Sequence, residues 1–470
     1  MRRPRVVVVG AGMGGLTAAL RLALRGCEVR LCEARSEPGG LASAVAREGL
    51  EFDGGPYILL DRPGLEWAFR ELGMALAERV ELRRIEDVYR VEAGDAPPVR
   101  FRASLEETAQ GLEESWPGSA RRYAAFVERT AAVYRRLTPL LFVSRPGLRE
   151  LVAGGALRDV PFLLRPLRSI LASTGLPAPV RDAIGIWTHV AGQRLSEAPS
   201  PLAFVPALLH TVGSFFAPAG IASIPRALAA AAESAGCELR YGCAVRAIRL
   251  ENGRARGVET ERGESLDADA IVTDVGLGTY LSLLPRSTLP ARRLRKLERL
   301  PLQSPGVSAY LAVRRRGTPP YLRFTLPGGE SLCRLLVQPA LLRDAPAHDG
   351  WYPARLLAPM RHADAERGAE LQRAFLEEVL AEPWWREAVG AHRVLATRIP
   401  DEWGREMRLH SNAMNPVMTA SFMRAGRLSH RSPHLRGLYL AGSATHPGQW
   451  VSFCAISGIL VADRLLEDLG

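Results

Sequence analysis

At 470 residues, 47% hydrophobic and 24% charged, with a mean hydropathy of −0.02, the chain has an ordinary globular composition, which excludes disordered and collagen-like classes. Six scattered cysteines, without a CxxC pair or a zinc-ligand spacing, exclude a disulfide scaffold and leave no readable metal site. The formal charge of +11 is carried by arginine, Lys296 being the one lysine among 61 basic residues. With no nucleic-acid motif beside it, that charge points to an anionic membrane surface rather than to nucleic acid.

The chain opens on a run, Val6–Val9, that reads as a buried parallel strand. Thr17–Leu24 then carries a helical pattern, and Val29–Glu33 is a second strand ending in a carboxylate. Between them lies Gly10-Ala11-Gly12-Met13-Gly14-Gly15. Gly10 permits the tight turn, Gly12 lets backbone approach a pyrophosphate, and Gly15 lets the helix pack on the strand. Amides at the helix start face phosphate, and Glu33 accepts both ribose hydroxyls of an adenosine. A complete strand–turn–helix–strand–acid unit of this kind binds an adenine dinucleotide. With its first strand at Arg5 the chain is expected to lack a signal peptide and to be cytoplasmic, peripheral on the inner face of the cell membrane.

Further along, Glu106–Leu137 reads as helical, and Arg158–Leu171 mixes arginines with aliphatics as a headgroup-layer helix does. From 198 to 225 no formal charge occurs, but repeated Pro and Gly break the stretch. It is expected to line a dry cavity or dip into a membrane rather than span one. A helix over Ile224–Ala235 leads to strands at 238–241 and 244–250, an Asn252-Gly253 turn, then strands at 256–260 and 268–273. Strands are also expected at 307–313, 332–338, 352–359 and 394–399, a helical stretch over 365–389, and a strand over 437–442 before a long last helix. The fold class is α/β. Residues 1–85, 224–290 and 431–470 form a discontinuous Rossmann-like dinucleotide domain. Residues 86–223 and 291–430 form an inserted α+β substrate domain on a mixed sheet, with a membrane-contacting helical part near 140–223.

Three segments extend the reading. Glu33-Ala34-Arg35-Ser36-Glu37-Pro38-Gly39-Gly40 resembles the E-x-x-x-x-x-GG extension of FAD-dependent oxidoreductases. Phe52-Asp53-Gly54-Gly55-Pro56 is similar to their F-D-x-G-P flavin loop. Leu438 to Gly448 (LYLAGSATHPG) resembles the LYL-x-G-x-x-THPG motif of the phytoene desaturase and carotenoid oxidoreductase family, within the flavin amine oxidase-like superfamily. The resemblance implies FAD held by Gly10, Gly12, Met13, Gly14, Gly15, Glu33, Ala34 and Arg35 in the first unit. It extends the set to Gly39, Gly40, Leu41, Gly54, Gly55, Pro56, Tyr57 and Val245, and then to Gly442, Ser443, Gly448, Val451 and Ser452. The helix starting near Ser452 would aim its amide end at the flavin. The sequence departs from the family at Leu41, Ser443, Gln449-Trp450 and Ala219–Ala222.

The resemblance also implies a hydrophobic polyene substrate, peripheral membrane contact, oxygen or a quinone as electron acceptor, and desaturation by hydride transfer to flavin N5. His446, Tyr57, Gln449 and Trp450 are the candidates at the flavin face. Alternatives are a carotenoid isomerase or saturase, a tailoring oxidase of a secondary metabolite, a flavin amine oxidase, and a lipid-binding escort of the GDP-dissociation-inhibitor type. The amine oxidase reading lacks its lysine, because Pro305–Leu311 contains none.

Overall fold

Val6–Val9, almost wholly buried, lie in the middle strand of a five-stranded parallel sheet. The order across it is Leu438–Leu440, Ala270–Thr273, Arg5–Val9, Glu28–Cys32 and Glu238–Arg240. In this computed structural model residues 2–329, 331–343 and 348–469 are described. The strands of the sheet come from three distant stretches of chain, and its register pairs Val8 with both Leu31 and Val272.

A seven-stranded sheet carries the strands His392–Arg398, Val307–Val313, Tyr352–Ala358, Arg334–Val337, Leu322–Leu326, Asp87–Ala93 and Val99–Arg102 in that order. Its pairs are antiparallel except 322–326 on 87–93. The Asn-Gly hairpin forms as the sequence predicts: Asn252 (φ 49°) and Gly253 (φ 70°) join antiparallel strands at 245–251 and 254–260.

Three expectations are corrected. The helical stretch 106–137 is two helices, Leu105–Ser115 and Ser119–Leu137, broken at Trp116-Pro117-Gly118. The segment 158–171 is likewise divided, into Val160–Leu164 and Leu167–Ala172, at Arg165-Pro166. The uncharged stretch 198–225 folds into short pieces, among them the helix Phe204–Thr211 and the strand Phe215–Phe216, and its large side chains are core. Its lack of charge reflects burial in protein. Its single histidine is satisfied locally, with Nε2 2.7 Å from the Tyr123 hydroxyl and Nδ1 3.2 Å from Ala103 O. Among the described residues no helix is long and apolar enough to cross a membrane.

The helix Met13–Leu24 packs on the last helix, Val451–Leu469, at very close range. A Cβ placed on Gly458 would lie 2.0 Å from Thr17 Oγ1 and 2.2 Å from Gly14 O. Arg21 fastens the pair, its Nε donating to Asp463 Oδ1 (2.8 Å) and its NH1 to Glu71 O (2.6 Å). Gly458→Ala should therefore force the helices apart and cost ~1–3 kcal/mol, the range of an overpacked core. A lowered melting temperature by circular dichroism is the expected readout; an unchanged one would mean the helices slide without penalty.

Candidate functional site

A cavity of about 490 Å³ opens where the turn after the first strand meets the ends of the neighbouring strands. Gly10, Gly12 and Met13 form one wall, with Glu33, Ala34 and Arg35 from the end of the second strand beside them. Gly39, Gly40, Leu41, Pro56 and Val245 line it next, followed by Ser443, Gln449 and Val451 from the C-terminal segment. Residues far apart in sequence thus converge on one space.

The glycines divide into those that face the cavity and those that build it. Gly10 takes φ +99°, a left-handed value that favours glycine. A Cβ on Gly15 would stand 1.9 Å from Gly10 O, so Gly15 closes the helix onto the turn. Gly14 does the same against Gly442, whose amide would lie 2.8 Å from its Cβ. Gly39 N–H donates to Ala11 O (2.8 Å), laying the second glycine pair on the first. Gly54 and Gly55 sit behind the wall, Gly54 N–H on Ser43 O (2.9 Å) and Gly55 packed on Leu41 O. Gly14, Gly15, Gly54, Gly55, Gly442, Gly448 and Ser452 therefore shape the cavity from outside its lining. Ser452 is turned to Asp61, donating from Oγ to Oδ2 at 2.8 Å.

Glu33 is buried, and its carboxylate fixes the turn: Ala11 N–H donates to Oε2 (2.7 Å) and Arg35 N–H to Oε1 (2.9 Å). Sequence reasoning missed Asp274, which follows the strand Ala270–Thr273 and also lines the cavity. Its Oδ2 accepts from Gly15 N–H (2.9 Å), and a Cβ on Gly12 would come within 2.4 Å of the same oxygen. Burial raises its pKa to about 7, Glu33 adds to the rise, and the Gly15 amide opposes it. Nothing local marks an aspartate after an apolar strand as special. It is the tertiary approach of Gly12 and Gly442 that gives it a role.

Of the candidates at the flavin face, Gln449 alone lines this cavity, its Nε2 donating to Pro416 O at 2.8 Å. His446 does not: Nε2 donates to Leu140 O (2.8 Å) and Nδ1 accepts from Arg427 (3.0 Å). Burial, then the Arg427 charge, push its pKa down to about 3, so the ring is a neutral brace between chain segments. Trp450 stacks on Phe453, ring centroids 4.9 Å apart, and packs against core residues. Tyr57 is buried and faces a separate void of about 20 Å³ with Asp53, Arg343 and Arg355, its carbonyl accepting from the Tyr321 hydroxyl (2.6 Å). Ser443 donates to Asn415 Oδ1, so a hydroxyl–amide pair stands where a carboxylate is common.

The comparisons decide the family. The family described as flavin containing amine oxidoreductase matches residues 13–466. The chain belongs to it. The zeta-carotene-forming phytoene desaturase of Myxococcus xanthus is 29% identical over 98% of this chain and 94% of its own length. The 4,4'-diapolycopene oxygenase of a Methylomonas species is 24% identical over 99% of this chain and 98% of its own. Among solved structures, an oxidoreductase from Methanosarcina mazei superposes with a TM-score of 0.67 at 17% identity, covering 98% of this chain and all of that one. A putrescine oxidase bound to putrescine reaches 0.63 at 18%, covering 99% of each chain. These structures share the fold.

As a member of this family the chain is an FAD-dependent oxidoreductase. Its own residues fit the group: a glycine turn that a Cβ would obstruct, a buried acid at the second strand, and a cavity of about 490 Å³ that both of them line. Glu33→Ala should weaken FAD binding by roughly 1.5–3 kcal/mol through loss of charge-assisted hydrogen bonds; equal flavin retention in the variant would remove Glu33 from the site. Asp274 is neutral below about pH 7 and ionised above it. Asp274→Asn should therefore tighten FAD binding several-fold at alkaline pH, where the carboxylate repels phosphate, and leave it unchanged in mild acid. A fluorescence titration of apoprotein at both pH values tests this, and a pH-independent effect would contradict it.

Proposed function

We propose that this protein dehydrogenates a carotenoid-type polyene, the chain Met13–Leu24 with its flanking turn and strands holding FAD and the seven-stranded half receiving the hydrophobe. The observation that carries the reading is the near end-to-end similarity to a phytoene desaturase, joined to a cavity lined by the glycine turn and the buried acid Glu33. Bound FAD would supply the hydride acceptor for an unactivated C–H bond, and the neighbouring carbon would release a proton to solvent base as the double bond forms. The protein's part is to hold the reacting carbon in register and exclude water. Gln449 is anchored to Pro416 O at the cavity wall, and the amide end of the helix Val451–Leu469 favours negative charge nearby. His446 takes no part in proton transfer, since both ring nitrogens are engaged.

Membrane contact belongs to the same proposal. Leu148, Val152, Leu157 and Leu164 are 69%, 55%, 44% and 56% exposed. Arg145, Arg149, Arg158, Arg165 and Arg168 are interleaved with them. Exposed aliphatics among arginines suit the headgroup layer, where a polyene dissolved in lipid would enter. The electron acceptor is proposed to be oxygen or a membrane quinone, at a cytoplasmic membrane face.

Liposomes carrying phytoene and related carotenes, added anaerobically, should bleach the flavin absorbance. FAD that stays oxidised with every polyene would exclude dehydrogenation and leave isomerisation or a different hydrophobe. Simple amines should release no hydrogen peroxide, because the strand Val307–Val313 carries no lysine and Lys296 is exposed on the helix Ala291–Glu298. Leu148→Asp with Leu164→Asp should reduce sedimentation with anionic vesicles, and undiminished binding would place the contact elsewhere.

A further inference from the structure

Among the described residues Arg427 is a largely buried cation without an anion. It follows the helix Ala420–Ala425 and reaches beneath the turn Thr445–Gly448. NH1 donates to His446 Nδ1 at 3.0 Å, and NH2 lies 3.8 Å from the point where a Cβ on Gly448 would stand. Its Nε has no hydrogen-bond partner, and among the described residues it forms no ion pair. The groups around Gly448 are Met418 Cε and the Phe453 ring. His446 and His430 are held neutral by burial, with pKa values near 3 and 4. Burial lowers the guanidinium to about 10, so it stays charged at neutral pH.

An uncompensated buried ion costs several kcal/mol and persists where another group supplies the opposite charge. The turn that Arg427 supports runs straight into the cavity wall, since Gln449 and Val451 line it. Gly448, at φ +146°, puts no side chain between the guanidinium and that wall. A hydride brings two electrons and one proton to the flavin ring, so one negative charge appears there on reduction.

We propose that Arg427 is a positioning charge for the redox step, stabilising the reduced flavin through the side-chain-free turn at Gly448, alongside the amide end of the helix Val451–Leu469. His446 is its mount. With Nε2–H committed to Leu140 O, Nδ1 is left as an acceptor that aims the guanidinium at the turn. The proposal rests on FAD binding alone and holds whichever hydrophobe is oxidised.

The test is the midpoint potential of bound FAD and its affinity for sulfite, an anion-forming flavin adduct that needs no substrate. Arg427→Gln keeps a donor for His446 and removes the charge; Arg427→Lys keeps the charge; Arg424→Gln, exposed on the preceding helix, is the control. The Gln variant should show a more negative potential and about tenfold weaker sulfite binding, equivalent to ~1.4 kcal/mol, with the Lys variant near wild type. An unchanged potential in a flavin-loaded Gln variant would overturn the proposal. So would weaker FAD binding at unchanged potential, which would assign the charge to the pyrophosphate. Equal collapse of the Gln and Lys variants would make Arg427 structural. A protein inert towards every polyene would still report on Arg427.

Discussion

The close contact between the helices Met13–Leu24 and Val451–Leu469 is the constraint on which the rest depends. Thr17 Oγ1 lies 3.0 Å from Ala455 O, and no side chain at 458 keeps the axes apart. At this distance the start of one helix meets the turn before the other, so Gly14 abuts Gly442. A cavity lined by Gly10, Gly12 and Met13 on one side and by Ser443, Gln449 and Val451 on the other follows from that meeting. Asp274 is the wedge between them, touching the Gly15 amide while Gly12 and Gly442 close over its carboxylate.

A second fastening joins the flavin half to the seven-stranded sheet. Arg355, buried in the strand Tyr352–Ala358, donates from NH1 to Asp53 O (3.0 Å) and Gly55 O (2.9 Å) and from NH2 to Ser308 Oγ (3.1 Å). Ile221 N–H in turn donates to Asp53 Oδ1 at 2.7 Å. Burial raises the Asp53 pKa to about 6, and that amide and the Arg355 charge hold the rise in check. The loop Asp53–Pro56 is thus clamped from two sides, which sets where Pro56 stands on the cavity wall. A floor fixed in this way would hold reacting groups at a set distance, on which the proposed hydride transfer depends.

What the sequence made legible was local. The first strand, turn, helix and acid announce themselves within the first 33 residues because backbone geometry there depends on neighbouring residues. The strand Val307–Val313 and the Asn-Gly hairpin were legible for the same reason. Short pieces such as Ala44–Arg47 paired with Leu50–Asp53, or Leu322–Leu326 laid parallel on 87–93, draw their stability from distant partners and carry weak patterns. The site followed the same rule. Gly12 and Gly40, which line the cavity, are legible from spacing, whereas the ties of His446 to Leu140 and Arg427 are not. Asp274, Arg355 and Arg427 gain their roles only from tertiary contacts.

The order of strands in the parallel sheet carries a consequence for synthesis. Leu438–Leu440 pairs with Ala270–Thr273, which pairs with Arg5–Val9, so the sheet is completed only after synthesis has reached Leu440. The helix that seals it comes later still. While the ribosome works through the intervening residues, the early β-strands are left with open edges and apolar faces. The cavity takes its last wall from Val451 and Cys454, so flavin can be held only once synthesis has passed that point.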